Sequence, residues 1–358
     1  MRAGGGGSAN ALAEDLEHIL THTAGLWEPL RNAGVFVTGG TGFFGRWLLE
    51  SFRHVNTKLE LGARMVVLSR DPEAFQKNAP HLADEAAIRF VRGDVRALSA
   101  ASGDRFDFVI HAATESTVQL NAQNPLALVE TIIDGTRAAL DFAVATGAKR
   151  FLLTSSGAVY GRQPGEMTHI PEEYNGAPDC SSTASAYGEG KRAAELLCAC
   201  YHKQHGVEAV IARCFAFVGP FLPLDAHFAI GNFLRDAMRG EAIVVNGDGT
   251  PYRSYLHAAD LAIWLWTLLF KGGPGRCYNV GSDDSRTIQE VAEIVGRIGH
   301  APSVRVAQEP RLQQPASRYV PSSARALSEL GLRQWIDLPA AVQRTMDVLR
   351  LQDETAKD

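Results

Sequence analysis

Val35-Phe-Val-Thr-Gly-Gly-Thr-Gly-Phe-Phe-Gly45 decides the fold of this chain. Apolar and β-branched residues run into a glycine cluster, and Arg46-Trp-Leu-Leu-Glu-Ser-Phe52 continues as a helix. Strand, tight turn and helix N-terminus in that order make a dinucleotide-binding turn. Glycine lets the backbone turn sharply and lie close to a pyrophosphate, and the first helical N–H groups then face the anion. Gly39, Gly42 and Gly45 fit G-x-x-G-x-x-G, while Gly40, Gly42 and Gly45 also fit G-x-G-x-x-G. Thr41, Phe43 and Phe44 complete the expected cofactor-binding turn.

Outward from this turn, short apolar strands alternate with helices. Arg64–Ser69, Ile88–Val95, Phe106–Ala113, Phe151–Ser156 and Val207–Phe215 read as strands. Residues 118–146 and 186–204 read as helices, and Ile263–Phe270 as a short buried one. The alternation predicts an α/β fold, a doubly wound parallel Rossmann sheet with a smaller mixed C-terminal region. Residues 1–32 are assigned to a flexible N-terminus and an amphipathic helix over 11–31, packed outside the first strand. Residues 33–215 form the dinucleotide-binding domain, and 216–358 the mainly substrate-binding region, some of it returning to the sheet. Arg162–Ser185 is a long loop beside the substrate.

Ligands of such sheets sit beyond the strand C-termini. Ser69 and Arg70 end the second strand. A hydroxyl and a guanidinium there suit a 2′-phosphate, so NADP is favoured. Asp71 is near enough to keep NAD open, and Arg70 solvated or stacked on adenine is the plainer reading. Asp94 and Val95 end the third strand, where Asp94 either bonds adenine or caps a turn. Ala112 and Ala113 let a cofactor lie close. Tyr187-Gly-Glu-Gly-Lys191 places a phenol and an ammonium four residues apart, on one helix face. The ammonium is expected to lower the phenol pKa from about 10, toward the range useful for acid–base chemistry. Gly188 and Gly190 each cost about 1 kcal/mol inside a helix, which close approach of another backbone or a substrate would justify.

The chain has 358 residues and a net charge of −5, which gives no sign of nucleic-acid or membrane-surface binding. Its five cysteines lack C-x-x-C spacing, which argues against structural zinc or a disulfide framework and fits the cytoplasm. No metal site and no membrane span are expected.

Five motifs combine in order: T-G-G-T-G-F-F-G, G-D-V at 93–95, H-A-A at 111–113, S-S-G-A-V-Y-G at 155–161 and Y-x-x-x-K at 187–191. From residue 33 to about 335 the chain resembles the extended short-chain dehydrogenase/reductase family, most closely its nucleotide-sugar epimerase/dehydratase branch. The resemblance implies Tyr187 as acid/base, Lys191 as its partner on the nicotinamide ribose, and Ser156 as the hydroxyl on the reacting oxygen. It adds Thr114, Ser155 and Phe215 to the cofactor side. Glu115 and Ser116 would border the hexose, and Arg253 and Arg318 would grip the diphosphate of a nucleotide-diphosphate sugar. A homodimer through helices 118–146 and 186–204 is implied, with Leu196, Leu197 and Ala199 compatible.

Four departures narrow the reaction. The Asp-Glu pair of dehydratases is replaced by Gly157 and Ala158, and the glutamate of decarboxylases also falls at Ala158. Ile132 and Ala216 stand where asparagines are expected. Hydride chemistry with tyrosine alone remains: 4-epimerisation first, 4-keto reduction with NADPH as the alternative. A non-catalytic dinucleotide-binding module is the reading from another class, against which Ser156, Tyr187 and Lys191 together argue.

Overall fold

The structure is a computed structural model and describes residues 11–101, 103–113, 123–226, 228–310 and 315–355. Seven parallel strands form the central sheet: β1 Gly34–Thr38, β2 Arg64–Ser69, β3 Ile88–Arg92, β4 Phe108–His111, β5 Arg150–Ser156, β6 Glu208–Cys214 and β7 Cys277–Val280. Their spatial order is β7-β6-β5-β4-β1-β2-β3. The order reverses between β1 and β4, and that switch point opens the crevice in which ligands of doubly wound sheets bind.

Helices cover both faces. α1 (Ala13–His22) opens the chain, and α2 (Phe43–Lys58) follows β1. α3 (Pro125–Thr146) and α4 (Ala186–His205) pack against each other on one side of the sheet. α5 (Ala258–Lys271) lies on the opposite side with α2, and its residues 258–270 are all buried. An apolar helix enclosed on every side needs no polar face, which is why Ile263–Phe270 shows none. Asp260, fully buried in its first turn, accepts the backbone N–H groups of Trp335 and Ile336 and bonds His18 Nε2. One carboxylate thus ties α1 and the C-terminal segment to α5.

Two expectations are corrected. The N-terminal helix stops at His22 and the left-handed Gly25 turns the chain, so Trp27 enters the core from a short 3₁₀ turn over Glu28–Leu30. The helix packs on α5 and α2, one layer outside the sheet. The helix expected over 118–146 is interrupted at Asn124, which caps Ala127 N–H, and runs from Pro125 to Thr146; residues 118–122 lie outside the described residues. The seventh strand carries the return of the C-terminal region to the sheet, β7 pairing with β6. Beyond it, three two-residue strands make a small sheet: Arg286–Thr287, Tyr252–Arg253 and Arg318–Tyr319, with Tyr252–Arg253 central. No described helix is long and apolar enough to cross a membrane.

Candidate active site

The turn after β1 assigns each glycine a task. Gly39 adopts φ +73°, and a Cβ there would lie 2.5 Å from the Ala112 and Ala113 backbone at the end of β4. A Cβ on Gly45 would strike Gly40 at 2.3 Å, so Gly45 seats α2 on the turn. Gly42 is different. It has φ −85°, it caps α2 without a side-chain hydrogen bond, and its Cβ position meets nothing nearer than the Gly39 carbonyl at 3.5 Å. Space beside an uncapped helix N-terminus, with no acidic residue in the first turn, fits an anion such as a pyrophosphate. Gly40 is constrained as well, a Cβ there meeting Val67 at 2.5 Å, so all four glycines serve the turn and both spacings are compatible with it.

Farther along the C-terminal edge, the Ser69 hydroxyl accepts Asp71 N–H at 3.3 Å, and Asp71 caps the helix Pro72–Asn78 through Ala74 N–H. Asp94 caps the turn Val95–Ala97 and pairs with Arg96, whose guanidinium holds its carboxyl down to about 2. Val95 packs under Gly135 of α3. Arg70 lies exposed on the rim, and Arg92 donates to its carbonyl.

β5 and α4 bring the reactive groups together. Ser156 ends β5, accepts Ala158 N–H at 3.1 Å, and lies on the Tyr187 side of the site, where its hydroxyl favours the charged phenol. Lys191, 2% exposed, donates to the Thr154 carbonyl at 2.8 Å. The two α4 glycines have the expected purpose: a Cβ on Gly188 would strike the Ala158 carbonyl at 2.8 Å, and one on Gly190 would meet Ile132 at 3.0 Å. Close backbone and helix approach is what those positions permit, and Ile132, buried against Gly190, is a packing residue.

The expected pKa effect of Lys191 on Tyr187 is not what this site produces. Burial pushes the Tyr187 phenol up to about 12, opposed by the influence of the Ser156 hydroxyl. Lys191 Nζ lies 6.0 Å from the tyrosine ring centroid and is engaged by Thr154. Burial lowers Lys191 itself to about 8.

Ser155 faces the other side of the strand, as alternation requires. Its hydroxyl donates to Glu195 at 2.5 Å, within a network of Glu195, Arg213, Tyr160 and Asn279. Only its backbone is left for the cofactor side. Arg253 and Arg318 meet on the small sheet but not on one face. Arg253 is the register partner of Tyr319, and Arg318 of Tyr252, on whose ring its guanidinium stacks at 3.9 Å. Thr114, Glu115 and Ser116 lie outside the described residues.

Two residues were missed. His111, 2% exposed, bonds Thr38 Oγ1 at 2.7 Å and Thr136 Oγ1 at 3.1 Å beneath the crevice. Tyr319 packs on Phe215 at 4.7 Å between centroids and places its hydroxyl 2.8 Å from the Cβ position of Gly157. The H-A-A motif could have pointed to His111. Nothing local in sequence marks Tyr319. Among the described residues no group of His, Cys, Asp and Glu is arranged to hold a metal.

A Rossmann crevice with a glycine turn at one end and serine, tyrosine and lysine at the other defines a dinucleotide-dependent hydride-transfer enzyme. Residues 35–281 match the NAD dependent epimerase/dehydratase family, and the chain belongs to it. It is 30% identical over 332 residues to UDP-glucuronic acid decarboxylase 3 of Arabidopsis thaliana, covering 90% of this chain and 93% of the relative. Identity to UDP-glucuronic acid decarboxylase 6 of that plant is 33% over 275 residues, 75% of this chain and 76% of the other. The fold is shared with UDP-glucose 4-epimerase of Thermotoga maritima, solved with UDP-glucose: TM-score 0.76, 21% identity, 89% of this chain and 99% of that one. The dTDP-glucose 4,6-dehydratase of Streptomyces venezuelae, solved with NAD, aligns at TM-score 0.74 and 26% identity over 88% of this chain and 97% of that one.

Proposed function

We propose that this enzyme is a 4-epimerase of a nucleotide-diphosphate sugar, working through a transient 4-keto sugar. The observation that carries the reading is that Ser156, Tyr187 and Lys191 converge while the next two residues, Gly157 and Ala158, offer no carboxylate. Such a site can move one proton and orient one oxygen. It has no acid–base pair at 157 and 158 to eliminate water.

NAD or NADP, when bound, would supply the hydride acceptor and donor for the sugar carbon. Gly39, Gly42 and Gly45 would hold its pyrophosphate, Ala112 and Ala113 would let it lie against β4, and Lys191 would bond its ribose. Tyr187 takes the hydroxyl proton and, once the ketone has rotated to present its other face, gives the proton back to the same oxygen. Ser156 fixes the oxygen that gains charge as the proton leaves. Arg253, beside Tyr319, is the arginine better placed toward the catalytic groups, and Arg318 would reach the diphosphate only past Tyr252.

Arg70 at the end of β2 supports NADP over NAD and, with it, the second reading, NADPH-dependent reduction of a 4-keto sugar. The names of the curated relatives make decarboxylation of a UDP-uronic acid the outcome to exclude. Incubation with UDP- and dTDP-linked sugars, followed by proton NMR of the products, decides. Inversion at C4 without net reduction supports the epimerase; obligatory NADPH consumption or carbon dioxide release overturns it. Tyr187→Phe should abolish turnover and leave dinucleotide binding intact.

The homodimer is proposed with it. Leu196 and Leu126 are 65% and 67% exposed on α4 and α3, whereas Leu197 packs into the core. Five free cysteines support a reducing cytoplasm.

A further inference from the structure

We infer that Glu195 is a positioning residue for the catalytic helix, its carboxylate pinning α4 to β5 through Ser155 and to β6 through Arg213, and so fixing where Lys191 and Tyr187 stand. The inference rests on the proposed roles of Tyr187 as acid/base and Lys191 as the group on the dinucleotide ribose.

The first observation is placement. Tyr187, Lys191 and Glu195 follow one another at intervals of four, so the three share one face of α4. On the sheet, Ser155 and Arg213 are register partners on β5 and β6. Residues level on neighbouring strands project to the same side. One carboxylate thus spans a single rung of the sheet. That rung lies between Ser156 and the Thr154 carbonyl that holds Lys191.

The second is how fully the carboxylate is engaged. Oε1 accepts the Ser155 hydroxyl at 2.5 Å and Arg213 Nε–H at 3.1 Å. Oε2 accepts Arg213 Nη2–H at 2.7 Å and Nε–H at 3.2 Å. A carboxylate has about four acceptor sites, and these contacts fill them. Glu195 therefore has nothing left to offer a dinucleotide or a sugar and acts only through α4. Its side chain and that of Arg213 are 11% and 15% exposed, which leaves little water to compete.

Arg213 is itself braced. Its Nη1–H donates to the Tyr160 hydroxyl at 2.8 Å, and that hydroxyl donates to Asn279 Oδ1 at 2.8 Å. The guanidinium lies 4.8 Å from the Tyr160 ring centroid. Asn279 is fully buried on β7 and donates to the Ile170 carbonyl. The clamp is anchored on three strands.

The other contacts of α4 do not supply this setting. Lys191 reaches Thr154 on a flexible four-carbon stem. Gly188 and Gly190 permit close approach without directing it. A forked guanidinium–carboxylate pair fixes direction as well as distance. Its net contribution to stability is small, because desolvation cancels much of the attraction; what this pair supplies is one position of the helix.

The test is a double-mutant cycle read on dinucleotide affinity by calorimetric titration. Glu195→Asp keeps the charge opposite Arg213 but is one methylene too short to hold both strands. It should weaken the dinucleotide that the parent binds, NAD or NADP, by about fivefold. In a Lys191→Met background the same substitution should have no further effect, because the group it positions is gone. Unaltered affinity in Glu195→Asp overturns the proposal. So does an equal loss with and without Lys191, which is what a merely structural role gives. Ser155→Ala removes the β5 arm, keeps the Glu195–Arg213 pair, and repeats the cycle where the aspartate variant fails to fold. The cycle needs no sugar, so a failed epimerase assay sinks the proposed reaction and still leaves the cycle to decide on Glu195. With a sugar that is turned over, Glu195→Asp should lower kcat about 10-fold or more and leave KM within about twofold; a change in KM alone overturns the proposal.

Discussion

The Lys191 ammonium lies 2.8 Å from the Thr154 carbonyl, on the strand that supplies Ser156 two residues later. Lysine and serine are thereby held to one rigid element, and α4 cannot slide along β5 without breaking the bond. The ammonium is nearly sealed from water, and desolvation lowers it from 10.5 to about 8.

That burial opposes folding. At about 1.4 kcal/mol per pKa unit the cost is about 3 kcal/mol, in part offset by the Thr154 bond. The unfolded chain binds more protons between pH 8 and 10.5, so stability rises with pH across that window and the full cost applies below it. Lys191→Met should therefore be more stable than the parent at pH 7, by about 2 kcal/mol in urea unfolding. Its advantage should disappear by about pH 10.5, while turnover falls about 100-fold or more. A variant less stable at pH 7 would show that the Thr154 bond outweighs desolvation.

The three turn glycines make separable predictions. Gly39→Ala and Gly45→Ala drive a Cβ into backbone at 2.5 Å or less, and at Gly39 the positive φ adds strain. Both should unfold at markedly lower temperature. Gly42→Ala enters open space with negative φ and should change stability by less than about 1 kcal/mol. The added methyl stands where the pyrophosphate is expected, so dinucleotide affinity should fall at least about 10-fold by calorimetric titration. Intact affinity in Gly42→Ala would move the cofactor away from this turn.

The β1 turn and the Tyr187–Lys191 pair were legible because both depend on neighbours in sequence. Glycine spacing and an i, i+4 pair are local signals, and Gly188 and Gly190 inside a helix announced the close packing later found at Ala158 and Ile132. The rest needed tertiary structure. Tyr319 reaches Phe215 and Gly157 from a two-residue strand, too short to carry a period of its own. β7 is a four-residue edge strand with no hydrophobic alternation to mark it. The helix over 11–31 was overextended because Trp27 and Leu30 continue its apolar pattern past Gly25. The pKa expectation for Tyr187 failed because spacing reports proximity and says nothing about desolvation.

Arg70 offers a test of cofactor choice. It follows Ser69 at the end of β2, and the nearby carboxylates are engaged, Asp71 as a helix cap and Asp94 with Arg96. A guanidinium contact to a 2′-phosphate is a charge-assisted bond of about 1.5–3 kcal/mol. Arg70→Ala should then weaken NADP by about 10- to 100-fold and leave NAD within about twofold, by fluorescence titration. Equal loss for both dinucleotides would assign Arg70 to adenine or to the rim.

His111 offers a test of stability in acid. Its ring lies between Thr38 and Thr136, and burial, with Lys191 nearby, lowers its pKa to about 3. A histidine buried neutral makes the unfolded chain the better proton binder between about pH 3 and 6.5. The stability it permits is complete above pH 6.5 and is lost as pH falls through that window. From pH 6.5 to 5 the loss should be about 2 kcal/mol from this residue. His22, His54 and His257 are lowered in the same direction, all by burial first, and steepen the decline. His111→Gln removes one titrating group and, by leaving the threonine hydroxyls poorly matched, is less stable at pH 7. Its urea midpoint should nonetheless fall less between pH 7 and 5 than that of the parent. The two slopes, not the absolute stabilities, carry the test: parallel slopes would mean that His111 titrates alike in the folded and unfolded chain, and a shallower fall for the parent than for His111→Gln would mean that it is held protonated with Thr38 and Thr136 both accepting from it.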